Sequence, residues 1–194
     1  PRGAILKVSA ASNHLLDHVG NAVVFSDYED MLNKIDSIDL NVDENDILIM
    51  KNCGPRGVPG MPEWGQIPIP KKLLDRNITD IIRISDARMS GTSYGTVILH
   101  SSPESELGGP LSIVKNGDKI KLNASKKQLD LMLSEDEIKD RLKNVKKSKS
   151  EHLRGYPRLY IDHVLQADEG CDFDFLLPSD PNNENLIEPI VGKS

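Results

Sequence analysis

Two glycine-rich stretches present the side chains with the most chemical potential. Gly54 to Gly65 (G-P-R-G-V-P-G-M-P-E-W-G) carries Glu63, and Ser85 to Gly95 (S-D-A-R-M-S-G-T-S-Y-G) carries Ser90 and Thr92. Glycine lets a backbone approach a ligand closely, so a carboxylate or hydroxyl beside it can be offered without steric crowding; turns alone also explain many glycines. Glu63 supplies oxygens suited to a hard cation such as magnesium, but one carboxylate is a weak site and further ligands would be needed. The same residue type also serves as an ordinary surface turn carboxylate. Ser90 stands in S-G-T rather than in the G-x-S-x-G elbow of hydrolases, and no histidine adjoins it. A serine-histidine pair would require His100, His152 or His163 to fold back. No G-x-x-x-x-G-K-[ST] or G-x-G-x-x-G pattern is present, which leaves a nucleotide site unsupported. Cys53 and Cys171 lie far apart without C-x-x-C spacing, and two thiols cannot supply the usual four ligands of an iron-sulfur cluster.

The elements that must position these residues are legible as short runs. Ala4–Ala10, Ala22–Phe25, Ile47–Met50, Ile81–Ile84, Thr96–Leu99 and Gln128–Leu133 read as strands bounded by polar or glycine residues. The Asn116-Gly117 dipeptide, between Leu111–Lys115 and Asp118–Leu122, predicts a tight hairpin, because it accepts positive φ angles. Met31, Leu32 and Ile35 recur at helical spacing behind Asp27, a candidate cap; a short helix is expected around Leu73 and Leu74. Ser134 and Glu137 form a capping-box pattern ahead of Ile138, Leu142 and Val145. Four glycines and three prolines in Gly54–Gly65 exclude a helix or inner strand there. Tyr160–Ala167 suits another short helix, and Pro178–Ser194 an extended tail. About eight strands with a few short flanking helices predict an α+β domain built on a mixed sheet or β-barrel, rather than a βαβ repeat.

At 194 residues the chain can bury its own core without disulfides. Residues 1–150 are expected to form the barrel-like domain, and 151–194 a carboxy-terminal extension packed on it or on a partner. A net charge of −6 disfavours nucleic acid, whose affinity depends on lysine and arginine displacing counterions. Nine acidic residues and one basic residue lie between Asp17 and Asp46, while Lys139–Lys149 holds six basic residues; such runs usually mark solvated faces. No apolar run approaches the ~18 residues of a membrane helix. Two unpaired cysteines suit a reducing, cytoplasmic setting. The chain opens at Pro1 with no initiator methionine and no signal-peptide pattern, so it reads as a piece of something longer.

Three linked motifs carry a resemblance. Gly54–Glu63 (G-P-R-G-V-P-G-M-P-E), Ser85–Gly95 and Ser102–Leu111 (S-P-E-S-E-L-G-G-P-L) together resemble, in order and spacing, the carboxy-terminal portion of the dihydroxy-acid and phosphogluconate dehydratase family. The likeness starts near Pro1 and reaches at least Glu137. M-P-E-W-G, R-M-S-G-T-x-Y-G and the stretch Arg154–Leu176 resemble the aldonic-acid branch: arabonate, xylonate and gluconate dehydratases. The resemblance implies a swivelling β/β/α barrel, closed or nearly so, and a hydro-lyase that removes water from a 2,3-dihydroxy sugar acid to give a 2-keto-3-deoxy acid. It implies Ser90 as the catalytic base acting as an alkoxide, Thr92 beside the substrate, and Glu63 as a ligand of Mg2+. It also implies an iron-sulfur cluster whose cysteines, with the remaining carboxylates and a carbamylated lysine, belong to a larger amino-terminal domain. Neither Cys53 nor Cys171 matches a cluster cysteine, so the isolated chain is expected to be inactive, and the full protein to be a dimer or tetramer. The alternatives are a separate small subunit of a two-chain hydro-lyase and a non-catalytic binding module that kept the fold.

Overall fold

The computed structural model describes residues 2–145 and 154–177. Seven strands form one mixed sheet: β1 (Gly3–Leu6), β2 (Asp17–Phe25), β3 (Ile47–Met50), β4 (Ile82–Ser85), β5 (Val97–Ser102), β6 (Lys119–Asn123) and β7 (Gln128–Leu131), in the order β1-β5-β4-β3-β2-β6-β7. The central four are parallel, β2 to β3 to β4 to β5, and antiparallel strands flank them: β1 on β5, β6 on β2 and β7 on β6. Parallel strands are covered on both faces and so read as continuous apolar runs. Ile47-Leu48-Ile49-Met50 of β3 is such a run, with all four residues buried.

The pleat sends alternate side chains to two cores. Leu48 and Met50, with Val23 and Phe25, pack beneath Met31 of α1 (Tyr28–Lys34), Ile35 at its carboxyl cap and Leu73 of α2 (Lys71–Leu74). Ile47 and Ile49, with Ala22, Ile82, Ile84 and Ile98, face Leu111 of α3 (Pro110–Ile113) and Ile120 and Leu122 of β6. Leu6 of β1 and Leu129 and Leu131 of β7 join this second core. Both edges of the sheet therefore bend toward the same apolar interior.

The sheet stops short of closure. β1 and β7 share no hydrogen-bonded pairing among the described residues, and a cleft of about 740 Å³ runs between Gly3–Leu6 and Gln128–Asp130. The architecture is a curled half-barrel of α+β class, in place of the closed or nearly closed eight-stranded barrel expected. The missing strand is Leu111–Lys115, whose first three residues belong to α3. Gly109 precedes Pro110 at the first helical position, where the absent proline N–H costs nothing, and Ser112 Oγ donates to Gly109 O at 2.7 Å. The Asn116-Gly117 turn is real, with Gly117 at φ +84° and Asp118 N donating to Lys115 O at 3.1 Å, but it closes no hairpin. Asn116 Oδ1 accepts from Val24 N at 2.6 Å and Gly117 N donates to Ala22 O at 2.8 Å, so the turn delivers β6 alongside β2. The hairpin that does form joins β6 to β7. At the start of the chain, β1 ends at Leu6 and Val8–Ala10 turns into a single 3-10 turn.

The helix caps follow the sequence. Asp27 accepts from Asp30 N ahead of α1, and Ser134 accepts from Glu137 N at 3.2 Å ahead of α4 (Glu135–Lys143). The Glu137 side chain bonds Arg141, which in turn clamps Asp118 at the Asn116-Gly117 turn. Helix α5 (Gly155–His163) starts earlier than expected and is followed by Val164–Glu169, which returns to the sheet. There Asp168 pairs with Arg2 at 3.2 Å and accepts from Ser102 Oγ. The expected tail at Pro178–Ser194 and the basic residues Lys146, Lys147 and Lys149 lie outside the described residues. Among those described, no helix is long and apolar enough to cross a membrane.

Candidate active site

In sheets with parallel strands, ligands gather beyond the carboxyl ends of the strands, because the connecting loops collect there. The two glycine-rich stretches leave the carboxyl ends of neighbouring strands, β3 and β4. The first begins with three captured amides. Cys53 N donates to Asp86 Oδ1 at 2.9 Å, Arg56 N lies 3.0 and 2.9 Å from the two Glu104 oxygens, and Gly57 N donates to Glu104 Oε2 at 3.0 Å. Gly54 must be glycine, since a Cβ there would stand 2.5 Å from Glu104 Oε2. Beyond it the chain turns on itself, with Val58 N donating to Gly54 O and Met61 N to Val58 O. Trp64 then stacks on Tyr28 with ring centroids 4.2 Å apart, and Gly65 presses against Leu99.

Glu63 sits between these two anchors with its side chain 46% exposed, and its Oε1 meets Arg88 Nη2 at 2.9 Å. Arg88 belongs to the second stretch, two residues before Ser90. The loops are joined again where Gln66 Nε2 donates to Tyr94 O and Tyr94 N donates to Gln66 Oε1, each at 3.1 Å. Ser90 Oγ shares a hydrogen bond with Thr92 Oγ1 at 3.0 Å and accepts from Thr92 N at 3.3 Å. Thr92 and Gly91 are exposed, and a side chain added at Gly91 would meet nothing within 4 Å. Lys7 supports the loop from below through Gly91 O at 2.7 Å, and Met89 N donates to His100 Nε2 at 2.9 Å. The structure thus brings Arg88, Ser90 and Thr92 onto one loop and ties that loop to Glu63.

Three electrostatic features bear on the chemistry. Asp86 and Glu104 are buried, and desolvation pushes both carboxyls above their usual range while hydrogen bonds from Ser105 and Cys53, and from Gln166, Gly57 and Arg56, pull them back. His100 is pushed down by burial and by the Arg88 charge, which keeps its ring neutral and able to accept from Met89 N. With Nε2 engaged there, His100 bonds the neighbour of Ser90 and not the hydroxyl itself. Burial pushes the thiols of Cys53 and Cys171 up, away from the thiolate form that binds metals. Among the described residues, no group of three or more His, Cys, Asp or Glu is arranged to hold a metal ion. Glu63 thus fits magnesium only as one oxygen donor of a set completed from elsewhere. The clefts beside Lys51 and Arg141, about 470 Å³, and between β1 and β7 contain none of Glu63, Ser90 or Thr92; these stand at an open surface.

The family model for the dihydroxy-acid/6-phosphogluconate dehydratase carboxy-terminal domain matches residues 1–171. The chain belongs to this family. Among curated relatives, the L-arabinonate dehydratase of Rhizobium leguminosarum bv. trifolii is 52% identical over 176 residues, and the L-arabonate dehydratase of Azospirillum brasilense 51% over 183. The 6-deoxy-6-sulfo-D-gluconate dehydratase of Pseudomonas putida is 47% identical over 176. Each alignment covers 91% of this chain but only 30% or 31% of the relative, so the chain spans about a third of the length of the proteins it matches. Within this domain, Asp86, Arg88 and Glu104 lie inside the quoted motifs without showing their part in the site's framework, and His100, weighed as a partner of the Ser90 hydroxyl, instead bonds the Met89 amide. The signal available was position: Asp86 and Arg88 both precede the S-G-T motif by a few residues, and Glu104 is the first charge after the apolar run of β5.

Proposed function

We propose that this chain is the carboxy-terminal domain of an aldonic-acid dehydratase and supplies the base of a composite active site. The observation that carries this reading is the Arg88–Glu63 contact at 2.9 Å, which draws together two loops whose motif residues lie 27 positions apart. A base and a cation-bound substrate must share one site, and two adjoining loops at an open surface offer half of one. The swivelling arrangement implied by the resemblance would set this face against an amino-terminal domain carrying the remaining ligands.

In this reading Ser90, as an alkoxide, takes the proton from carbon 2 of the sugar acid. The C2–H electron pair forms the C2–C3 double bond as the C3–O bond breaks. The departing hydroxide takes up the proton that Ser90 removed and leaves as water, and the enol tautomerises to the 2-keto-3-deoxy acid. Thr92, 3.0 Å from Ser90 Oγ, orients that oxygen and shields its charge with a hydrogen bond. Glu63 would contribute one oxygen to Mg2+. The magnesium ion and the iron-sulfur cluster, when bound, supply the positive charge and Lewis acidity that a serine base and a poor leaving group require.

Ser90→Ala in the full-length protein tests the assignment. Ser90 is on a loop and, among the described residues, its hydroxyl bonds only Thr92 of the same loop, so losing it costs about 0.5–1.5 kcal/mol, the scale of one net hydrogen bond. Turnover of an aldonic acid is expected to fall by about 10⁴-fold or more, with substrate affinity and cluster absorbance retained. Near-normal turnover ends the base assignment, and loss of the cluster or fold makes Ser90 structural.

A further inference from the structure

Glu104 is fully buried, and every partner of its carboxylate is a donor: Arg56 N, Gly57 N and Gln166 Nε2, the last at 2.6 Å from Oε1. Its own amide donates to Gln166 Oε1 at 2.8 Å, so residues 104 and 166 hold each other through two bonds 62 positions apart in sequence. The Arg56 guanidinium reaches Val164 O at 3.4 Å, which fastens the same loop to the same returning segment. A buried carboxylate with donors alone around it stays in place because each partner would be orphaned by its removal. From Gly57 the loop runs through linked turns to Met61 and then to Glu63, whose far side is pinned by the Trp64–Tyr28 stack.

We propose that Glu104 is the positioning residue of the site: its carboxylate, oriented by Gln166, fixes the root of the Gly54–Gly65 loop and thereby sets where Glu63 stands. This rests on the reading of Glu63 as a cation ligand. Glu104 itself touches neither substrate nor metal. The returning segment Val164–Asp168 is then part of the site's scaffold, since it supplies the amide that orients the carboxylate.

Exchanging the two side chains provides the test. Glu104→Gln alone sets the new amide against the Gln166 amide, donor facing donor. Gln166→Glu alone sets carboxylate against carboxylate. The double variant Glu104→Gln/Gln166→Glu restores the pattern: position 166 accepts from position 104, and the amide oxygen introduced at position 104 still faces Arg56 N and Gly57 N. All three variants, with Gln166→Ala as a fourth that removes both the donor to Glu104 Oε1 and the acceptor of Glu104 N, are made in the full-length protein. Amide hydrogen exchange of residues 54–65 and the concentration of Mg2+ alone needed for half-maximal activation are then measured.

The single variants are expected to exchange at least tenfold faster in that loop, with the rest of the domain unchanged, and to need at least tenfold more Mg2+. The double variant is expected to return to within about threefold of the parent on both readouts, the non-additivity that marks a direct pair. Unchanged loop exchange in every single variant overturns the proposal. So does faster exchange spread evenly over the whole domain, or faster loop exchange with no change in the Mg2+ requirement. If the parent protein shows no aldonic-acid turnover at all, the functional reading fails while the exchange data still decide whether Glu104 fastens the loop.

Discussion

His100 holds the amide next to the proposed base, and its protonation state decides whether it can. Nε2 accepts from Met89 N only while unprotonated, and burial together with the Arg88 charge lowers its affinity for a proton. A histidine whose folded pKa is depressed stabilises the fold above its ordinary value of about 6.5 and loses that contribution as pH falls through the lowered one. The Met89–Thr92 segment should therefore loosen in mild acid, visible as a shift of the Met89 amide resonance that follows the His100 ring titration. His100→Gln keeps an acceptor and removes the titration. Its turnover is expected to stay within about fivefold of the parent at pH 7.5, the scale of one altered hydrogen bond, and to lose the acid-side step that tracks His100. A Met89 resonance that stays put while the His100 ring titrates rejects this role. Glu63, Ser90 and Thr92 could be singled out from residue type and neighbouring glycines. Arg88, His100 and Glu104 could not, because their importance comes from partners 11 to 62 positions away that no local pattern specifies.

At the scale of elements, the two glycine-rich loops differ in how tightly their glycines are used. Gly54→Ala would drive a Cβ to 2.5 Å from Glu104 Oε2 and 2.7 Å from Glu104 Cβ, whereas Gly91 opens onto space. Chemical denaturation should show Gly54→Ala less stable by about 1–3 kcal/mol, the usual cost of overpacking a filled site, and Gly91→Ala within about 0.5 kcal/mol of the parent. Equal stabilities would mean that the loop root yields more readily than its contacts imply. The strands at the centre of the sheet were legible because apolar runs bounded by breakers need no knowledge of their neighbours. The Asn116-Gly117 dipeptide misled for the opposite reason. Its backbone preference was read correctly, but the Asn116 side chain takes Val24 N as a partner, and local sequence says nothing about a contact 92 positions distant. Gly109-Pro110 was the available warning that a helix, and not a strand, preceded the turn.

Across the whole molecule, ion pairs at opposite ends of the sheet set its response to acid. Burial pushes the Asp80 carboxyl up, but hydrogen bonds from Thr96 and Ser12 and the charge of Arg83 outweigh it and hold it below the usual range. Asp118 is held low in the same way, chiefly by Arg141 and the Lys115 amide. Carboxyls depressed by folding contribute stability that is complete above about pH 4 and drains away as pH falls through their lowered values. Asp118→Asn is expected to cost about 1–3 kcal/mol at pH 7, and the gap from the parent should narrow steadily below pH 4 in urea titrations. A gap independent of pH would assign the loss to packing. The half-barrel itself was only partly legible: an α+β mixed sheet follows from the mixture of runs and turns, but whether its edges meet depends on how far the β1–β5 and β6–β7 ladders curl.

The strand order also governs how the chain can acquire its structure as it is made. β1 pairs with β5 across a register shift, Leu6 opposite Ile98, and β2 cannot find its antiparallel neighbour until Lys119–Asn123 exists, Asp17 opposing Asn123. β1 thus waits about a hundred residues for its partner, and β2, which meets β3 early, waits as long for its antiparallel one; non-local ladders of this kind are slow to form. At the usual pace of a ribosome, about 5–20 residues per second, that wait lasts several seconds. Throughout it, Ile47–Met50, a four-residue apolar run, has no complete sheet to enter. A nascent chain halted after β4 should therefore be captured by chaperones and cut readily by protease, and one extended beyond Leu131 should resist both.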